Sequence, residues 1–236
     1  MAAGIGLRFG GAEDLKPLAR LGAYGLVERN LRMLSRLGIG HVSVVTGHAS
    51  DAVAAHLDNA LSDTGIQLTY VFNPEYMKSN GISAMVGIES AGQTALLLMA
   101  DHAFDETLLV NVLDSSPPSN GAILYVDRKI ETVFDLDDAT KVKTAGFNEK
   151  GDAQVLHIGK QLDDFDAVDT GLFIVTSDLS EVLTHLYMRD GDCSLSDGIG
   201  RLAQEGKMWV RDIGPARWQD IDTTDALLHA INLFEV

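Results

Sequence analysis

The sequence is poor in several residue types, and each shortage excludes a class of protein. Its 236 residues include one cysteine, Cys193, so an internal disulfide is impossible and a reducing compartment is indicated. Lysine and arginine total 18 against 34 acidic residues, a net charge of −16 that argues against a nucleic-acid surface. No apolar run reaches membrane-spanning length, and no charged-then-apolar leader opens the chain. We therefore expect a cytoplasmic protein with no nucleic-acid partner.

The apolar residues that are present, 46% of the chain, suffice for one buried core, and no linker divides the sequence. Up to residue 100, segments with helical apolar spacing alternate with short apolar strands, which is typical of a parallel sheet covered by helices. Ser50 is expected to cap the second of these helices. Past residue 120, KVKTAGF and AQVLHIGK flank the turn NEKG and predict an antiparallel pair. We expect a single α/β domain over residues 1–236 whose second half carries a mixed sheet extension.

A glycine-rich segment, MAAGIGLRFGG, opens the chain. Glycines let backbone N–H groups approach phosphate oxygens closely, and Arg8 and Lys16 add positive charge. The spacing matches neither the dinucleotide fingerprint nor the Walker loop, because Phe9 occupies the third glycine position and no Gly-Lys-Ser/Thr follows. The segment on its own is compatible with a phosphate site and with a simple turn.

Three aspartates lie within or at the end of predicted extended segments. Asp101 ends the apolar strand of LLLMADHAFD, and Asp220 and Asp222 occupy alternate positions of RWQDIDTTDALL, so that both face one side. Carboxylate oxygens suit Mg²⁺, which leaves its other positions to water and phosphates. Helix capping is the alternative for Asp101 and Asp222, and His102 is expected to be structural or a helix cap rather than a ligand.

Further candidates lie at other loops. Asn80 and Gly81 open a helix, where amide and backbone groups can meet the edge of a base. Lys160 follows a strand and is placed to meet a second phosphate, and Asp169 begins another strand.

Together, the opening AAGIGLR with its later KPL, a strand ending in aspartate and a closing W-x-D-x-D-T resemble the sugar-phosphate nucleotidyltransferase superfamily. Five segments are similar, more narrowly, to the CTP:inositol-1-phosphate cytidylyltransferase domain: NPEYMKSNGISAM, LLMADHAFD, VDRKIETVFDLDDATKV, IGKQLDDFDAVDTGLFIV and SLSDGI. The resemblance covers nearly the whole chain. It implies a Rossmann-like (GT-A-like) fold with a mixed, mostly parallel sheet, a nucleotide-binding half at 1–115 and an acceptor-binding half at 116–236. Leu7 and Leu15 stand where the family usually has threonine and proline.

The resemblance further implies transfer of a cytidylyl group from CTP to inositol-1-phosphate, giving CDP-inositol and pyrophosphate. Mg²⁺ would be held by Asp101 and by Asp220 or Asp222. The implied roles of the other residues are phosphate binding by Ala3, Gly4, Gly6, Arg8 and Lys16, cytosine recognition by Asn80, Gly81 and Ser83, acceptor-phosphate binding by Lys160, and contact with inositol hydroxyls or ribose by Asp169 and Thr170. A membrane CDP-alcohol phosphotransferase, fused or separate, is the implied partner.

Family members begin with a short apolar strand that runs directly into AAG, and Met1 stands at its last position. We expect that this first strand is missing because the start is assigned too late or the chain is truncated. Three other functions remain open. They are the same reaction with phosphocholine or a sugar 1-phosphate as acceptor, the use of another nucleotide, and a non-catalytic nucleotide-binding module decayed from this family.

Overall fold

The computed structural model describes residues 1–2 and 18–236, which form two compact units interleaved along the chain. Unit 1 consists of Met1–Met77, Met99–Ser115 and Arg217–Val236, and unit 2 consists of Lys78–Leu98 and Ser116–Ala216. The single domain with halves that meet at 115/116 stays a prediction. No helix of the described ranges has both the length and the apolar character needed to cross a membrane.

Unit 1 contains four helices and six short strands among its described residues. The helices are α1 Leu26–Arg36, α2 Ser50–Ala60, α4 Glu106–Leu113 and α7 Thr224–Phe234. The strands are β1 Arg20–Leu21, β2 Tyr24–Gly25, β3 His41–Thr46, β4 Gln67–Phe72, β6 His102–Phe104 and β12 Trp218–Asp220. β3 and β4 pair in parallel, whereas β1–β2 and β6–β12 are antiparallel pairs.

Unit 2 is built on a six-stranded sheet. Its strands are β5 Thr94–Leu98, β7 Ala122–Asp127, β8 Lys141–Thr144, β9 Asp152–Gly159, β10 Ala167–Thr176 and β11 Met208–Asp212, in the spatial order β5-β10-β7-β11-β9-β8. Its helices are α3 Asn80–Ala91, α5 Ser177–Asp190 and α6 Leu195–Gln204, with a 3₁₀ turn at Ile130–Thr132. Every residue of β7 is buried, so the core of this unit lies around the middle of the sheet.

The mixed sheet is confirmed, but its parallel share was overestimated. In unit 2 only the β7–β11 pair is parallel among the pairings described, and the strands from β8 to β10 run antiparallel to their neighbours. The connection between β8 and β9 is short, and a short connection between paired strands requires them to be antiparallel, since a parallel crossover needs about a dozen or more residues. The predicted antiparallel pair around NEKG is β8–β9.

The start of α2 also differs from the prediction. The N-cap residue is Ala49, in a left-handed conformation with φ of +50°, and Ser50 is already helical. The Ser50 hydroxyl instead shares a hydrogen bond of 2.8 Å with the hydroxyl of Thr46. Ser50 therefore ties the helix to the end of β3 and does not cap it.

Gly121 is required where the chain enters β7. It has φ of +68°, and a Cβ on it would overlap the backbone carbonyl of Lys207. Its own carbonyl accepts hydrogen bonds from the N–H and the hydroxyl of Thr176, at 3.0 and 2.8 Å, which aligns β7 with β10. A side chain at this position must displace the backbone that starts two neighbouring strands.

We expect Gly121→Ala to lower the melting temperature strongly, whereas Gly206→Ala serves as a matched control. Gly206 has nearly the same φ, +70°, but nothing within 4 Å of an added Cβ, so it carries only the left-handed strain of about 1 kcal/mol. Thermal unfolding of both variants isolates the steric cost at Gly121. Equal melting temperatures for the two variants would show that the sheet accommodates the extra methyl group.

Candidate functional site

The aspartates in unit 1 are brought together by the pairing of two three-residue strands. Asp101 directly precedes β6, and in the antiparallel β6–β12 pair His102 lies opposite Asp220. The backbone N–H of Ile221 donates to the carbonyl of Asp101 at 2.8 Å, which extends the pairing by one step. The register therefore fixes Asp101 and Asp220 as neighbours, although most of unit 2 separates them in the sequence.

The side chains at this junction form a compact group. His102 Nδ1 lies 2.8 Å from Asp101 Oδ1 and 3.7 Å from Asp220 Oδ1. One ligand atom from each of the three residues lies within 4.8 Å of the other two. The two carboxylates keep 35% and 38% of their side-chain surface exposed, while the Asp220 Oδ1 atom that faces His102 is buried.

The donor chemistry of this group fits a magnesium ion. Mg²⁺ prefers oxygen ligands, takes one or two carboxylates from the protein and keeps water or phosphate oxygens in its other positions. Asp101 and Asp220 offer that pair of carboxylates, with one oxygen of Asp101 held by His102.

Asp222 takes a different place in unit 1. It lies after β12, and within the described ranges it is not a member of the group that Asp101, His102 and Asp220 form. It is not the cap of the last helix either, because Thr223 is the N-cap of α7 and its hydroxyl accepts from the N–H of Ala226 at 3.1 Å. The next helix after Asp101 is likewise capped by another residue, Asp105 at the N-cap of α4.

The core of unit 1 holds this junction in place. Ala103 on β6 and Ile221 after β12, which directly follow His102 and Asp220, are fully buried in a cluster with Leu26 of α1 and Phe234 of α7. Asn30 of α1 donates a hydrogen bond of 2.7 Å to the carbonyl of His102. The backbone under the carboxylates is thus anchored by packing and by a buried amide.

Residues 1–2 lie close to the same part of unit 1. Ala2 donates to the carbonyl of Val45 at 2.8 Å, and the N–H of Ala100 donates to the carbonyl of Met1 at 3.2 Å. Burial lowers the pKa of the Met1 amino group to about 6, while the charge of Asp101 acts in the opposite direction.

The residues expected to bind phosphate, Ala3, Gly4, Gly6, Arg8 and Lys16, lie outside the described residues. Their roles stay predictions.

In unit 2, the start of α3 is fastened to the segment Gly191–Leu195 between α5 and α6. The Asn80 Oδ1 accepts from the N–H of Leu195 at 2.9 Å, and the N–H of Gly81 donates to the carbonyl of Cys193 at 3.1 Å. A Cβ on Gly81 would overlap that carbonyl. Ser83 is buried one turn further along α3. Gly81 is thus a glycine because the two backbones approach closely at this point.

Asp192 strengthens this attachment. Its two carboxylate oxygens accept from the N–H and the hydroxyl of Ser79, both at 3.0 Å. Desolvation alone would raise the pKa of the Asp192 carboxyl. The hydrogen bonds from Ser79 and Cys193 and the charge of Lys78 outweigh it, so the pKa of Asp192 is lowered. The segment Gly191–Leu195 was not singled out in the sequence as a partner of α3, although SLSDGI carried part of the family resemblance.

Lys160 follows β9 and is half-exposed. Its ammonium group pairs with Asp138 at 2.8 Å. Its carbonyl accepts a hydrogen bond of 2.9 Å from the ammonium of Lys141, a buried lysine that also donates to the carbonyls of Asp137 and Ala139. Lys141 therefore holds the backbone on both sides of the Lys160–Asp138 pair.

Asp169 and Thr170 lie in an irregularity of β10. The register with β7 shifts between Asp169 and Leu172, and Gly171 has φ of +73°. The Thr170 hydroxyl is buried and donates to the carbonyl of Tyr125 at 2.7 Å, whereas Asp169 is partly exposed and accepts from the N–H of Gly171 at 2.7 Å. Such a bulge re-aims side chains, so Asp169 is the better placed of the two to meet a ligand.

A groove of about 890 Å³ also exists in unit 2, between β9, α5 and α6. None of the predicted site residues lines it. Its cations have acidic neighbours, with Arg189 on Asp190 and Arg201 on Glu205. This groove is therefore not the candidate site.

His102 is the functional candidate that sequence reasoning underestimated. Its position next to Asp101 was visible, but its approach to Asp220 depends on the β6–β12 register, and three-residue strands carry no periodic signal.

Comparison with known sequences gives consistent matches. The model of the MobA-like NTP transferase domain matches residues 1–184. Proteins of Thermococcus kodakarensis and Archaeoglobus fulgidus, both named bifunctional IPC transferase and DIPP synthase, are 29% identical to this chain. The alignments cover 98% of this chain but 48% and 42% of those proteins, so the chain spans about half the length of the relatives it matches.

Solved structures show the same fold. The inositol-1-phosphate CTP transferase from T. maritima superposes with a TM-score of 0.81 at 23% identity, covering 98% of this chain and 94% of that chain. A UDP-glucose pyrophosphorylase complexed with UDP-glucose follows with a TM-score of 0.77 at 15% identity, covering 99% and 96%. The chain therefore has a nucleotidyltransferase fold.

Proposed function

The chain belongs to the MobA-like NTP transferase family, and from that premise we propose that it transfers the cytidylyl group of CTP to inositol-1-phosphate, giving CDP-inositol and pyrophosphate. The observation that carries the proposal is the convergence of Asp101 and Asp220 through the β6–β12 register. Relatives that share 29% identity over nearly the whole chain and are named IPC transferases support the choice of substrates.

The proposed reaction is a direct displacement. A phosphate oxygen of inositol-1-phosphate attacks the α-phosphorus of CTP, the new P–O bond forms, and the bond to the β-phosphate oxygen breaks as pyrophosphate leaves. Asp101 and Asp220 would hold Mg²⁺, which would supply charge neutralisation at the reacting phosphates. The remaining work of the chain is alignment and charge stabilisation, so no covalent intermediate is required.

Two groups of basic residues are proposed to hold the phosphates. Arg8 and Lys16, in the glycine-rich segment with Ala3, Gly4 and Gly6, bind the β- and γ-phosphates of CTP. Lys160 binds the acceptor phosphate by exchanging its partly exposed partner Asp138 for the ligand. A half-exposed ammonium group makes this exchange at small cost, because exposed ion pairs contribute only about 0–1 kcal/mol.

The proposed cytosine contacts are refined by the hydrogen bonds of α3. Since Asn80 Oδ1 is used by the Leu195 N–H, the amide nitrogen is the end that donates, which suits the O2 and N3 acceptors of cytosine. The Gly81 N–H donates to the carbonyl of Cys193, so the proposed role of Gly81 is to let the base approach the backbone closely. Ser83 is the third proposed contact with cytosine. Asp169 meets inositol or ribose hydroxyls, and Thr170 supports it through the bulge.

The product is proposed to pass to a CDP-alcohol phosphotransferase. The relatives are named bifunctional, and this chain matches only about half of their length. A phosphotransferase on a longer chain or a separate membrane protein would use CDP-inositol as its donor.

The first prediction concerns substrates. We expect pyrophosphate release when the protein is mixed with Mg²⁺, CTP and inositol-1-phosphate, and little release when phosphocholine, glucose-1-phosphate or another nucleoside triphosphate replaces its counterpart. Release with a different pair would retain the transferase and change the substrates. Absence of release from every pair would contradict catalysis by this chain and favour a nucleotide-binding module.

The second prediction separates the two aspartates that the sequence left as alternatives. Asp220→Asn should lower kcat on the order of 100-fold or more and raise the Mg²⁺ concentration needed for activity, as expected when a ligand carboxylate is lost. Asp222→Asn is the matched control and should have a much smaller effect, since Asp222 is outside the group formed with Asp101. The reverse ranking would place the second ligand at Asp222.

The third prediction addresses the acceptor. Lys160→Ala should raise KM for inositol-1-phosphate about 10- to 100-fold, the value of a hydrogen bond to a charged group, and leave KM for CTP nearly unchanged. Lys150→Ala, at an exposed lysine of the β8–β9 turn, is the control. An unchanged acceptor KM in Lys160→Ala would remove Lys160 from the site.

A further inference from the structure

The group formed by Asp101, His102 and Asp220 contains a residue that the proposed function leaves without a role. We propose that His102 is a positioning residue that orients the Asp101 carboxylate and balances charge between Asp101 and Asp220, without binding the metal itself. This inference rests on the proposed metal role of the two aspartates.

The hydrogen bond between His102 and Asp101 has only one direction. A carboxylate oxygen accepts, so His102 Nδ1 carries the hydrogen and donates it to Asp101 Oδ1 over 2.8 Å. The bond engages one carboxylate oxygen of Asp101. It therefore sets the rotation of the carboxylate about its side-chain axis.

The same nitrogen lies 3.7 Å from Asp220 Oδ1, which is too long for a hydrogen bond but short for an electrostatic attraction. Two carboxylates with oxygens within 4.8 Å repel each other when no cation lies between them. A polarised N–H beside both oxygens reduces this repulsion. His102 thus favours the arrangement that a cation needs before the cation arrives.

The imidazole ring is itself held firmly. Only 12% of the side chain is exposed, and the ring stacks on Trp218 at 5.8 Å with an interplanar angle of 17°. It also stacks on Phe104, at 6.3 Å and 26°. Both partners are two residues away from members of the group along β12 and β6, so they share its face of the pair. A ring fixed in this way can transmit its orientation to Asp101.

Direct ligation is the competing role for His102. The nitrogen that faces both aspartates already donates its hydrogen to Asp101, and it would have to give up that bond to bind a cation. Mg²⁺ also prefers oxygen to nitrogen ligands. Hydrogen bonding from a histidine to a metal-ligating carboxylate is the kind of outer contact whose loss typically reduces metal affinity 10- to 100-fold.

The test measures Mn²⁺ binding by electron paramagnetic resonance in the absence of nucleotide. His102→Phe keeps a ring for stacking on Trp218 and removes the donor, and we expect it to weaken Mn²⁺ binding about 10- to 100-fold. His102→Asn returns a donor near the Nδ1 position and should recover most of the affinity. His56→Phe, an exposed histidine of α2, is the control and should bind normally.

A spectroscopic measurement on the unaltered protein completes the test. Electron spin-echo envelope modulation of bound Mn²⁺, with ¹⁵N-labelled histidine, should show no directly coordinated nitrogen. A coordinated histidine nitrogen would overturn the proposal, as would unchanged Mn²⁺ affinity in His102→Phe, or an equally weak folded His102→Asn. Asp101→Asn separates failure of the His102 proposal from failure of the metal site, because retained Mn²⁺ binding in that variant would contradict the proposed metal site itself.

Discussion

The antiparallel pairing of β6 with β12 is the constraint on which the candidate metal site depends. Each strand has only three residues, so the pairing contributes few backbone hydrogen bonds of its own. Its stability comes from the buried residues that directly follow the polar ones, Ala103 and Ile221, and from the amide of Asn30 on the carbonyl of His102. A shift of one residue would move Asp220 from its place opposite His102 and separate it from Asp101. The site is therefore a property of the register more than of any single contact.

In unit 2, hydrogen bonds at helix ends and loops hold the candidate binding residues in place. The start of α3 is positioned by hydrogen bonds from side chains and backbone of Gly191–Leu195, and the Lys160–Asp138 pair is positioned by the buried ammonium of Lys141. These are polar attachments at helix ends and loops, in contrast to the packed strand pair of unit 1. Charged side chains, Asp192 and Lys141 among them, are thus used to fix backbone positions in this acidic protein.

The sequence was most informative where one physical signal dominates. Helical apolar spacing alternating with short apolar strands predicted the alternation of elements before residue 100, which includes α1, β3, α2 and β4. The β8–β9 pair followed from its turn residues. In the candidate site, Asp101 and Asp220 were both selected by their positions beside extended segments.

What the sequence could not predict depends on contacts between distant segments. β6 and β12 are too short to carry a periodic pattern, so neither the pair nor the second contact of His102 was visible. The choice between Asp220 and Asp222 stayed open for the same reason. The N-cap position of α2 is occupied by Ala49 in a left-handed conformation, against the residue preference that favoured Ser50. The bulge at Asp169 had one local sign, the glycine at 171 inside a strand pattern.

The order of β6 and β12 along the chain has a consequence during synthesis. β6 leaves the ribosome with Asp101 and His102, but its only described partner strand is encoded after the whole of Ser116–Ala216. Among the described residues, the strands of unit 2 pair only with one another, so their sheet needs no strand from the segment that carries β12. Closure of unit 1 is therefore a late step that depends on Arg217–Val236, and a nascent chain has no paired carboxylates until this segment has emerged.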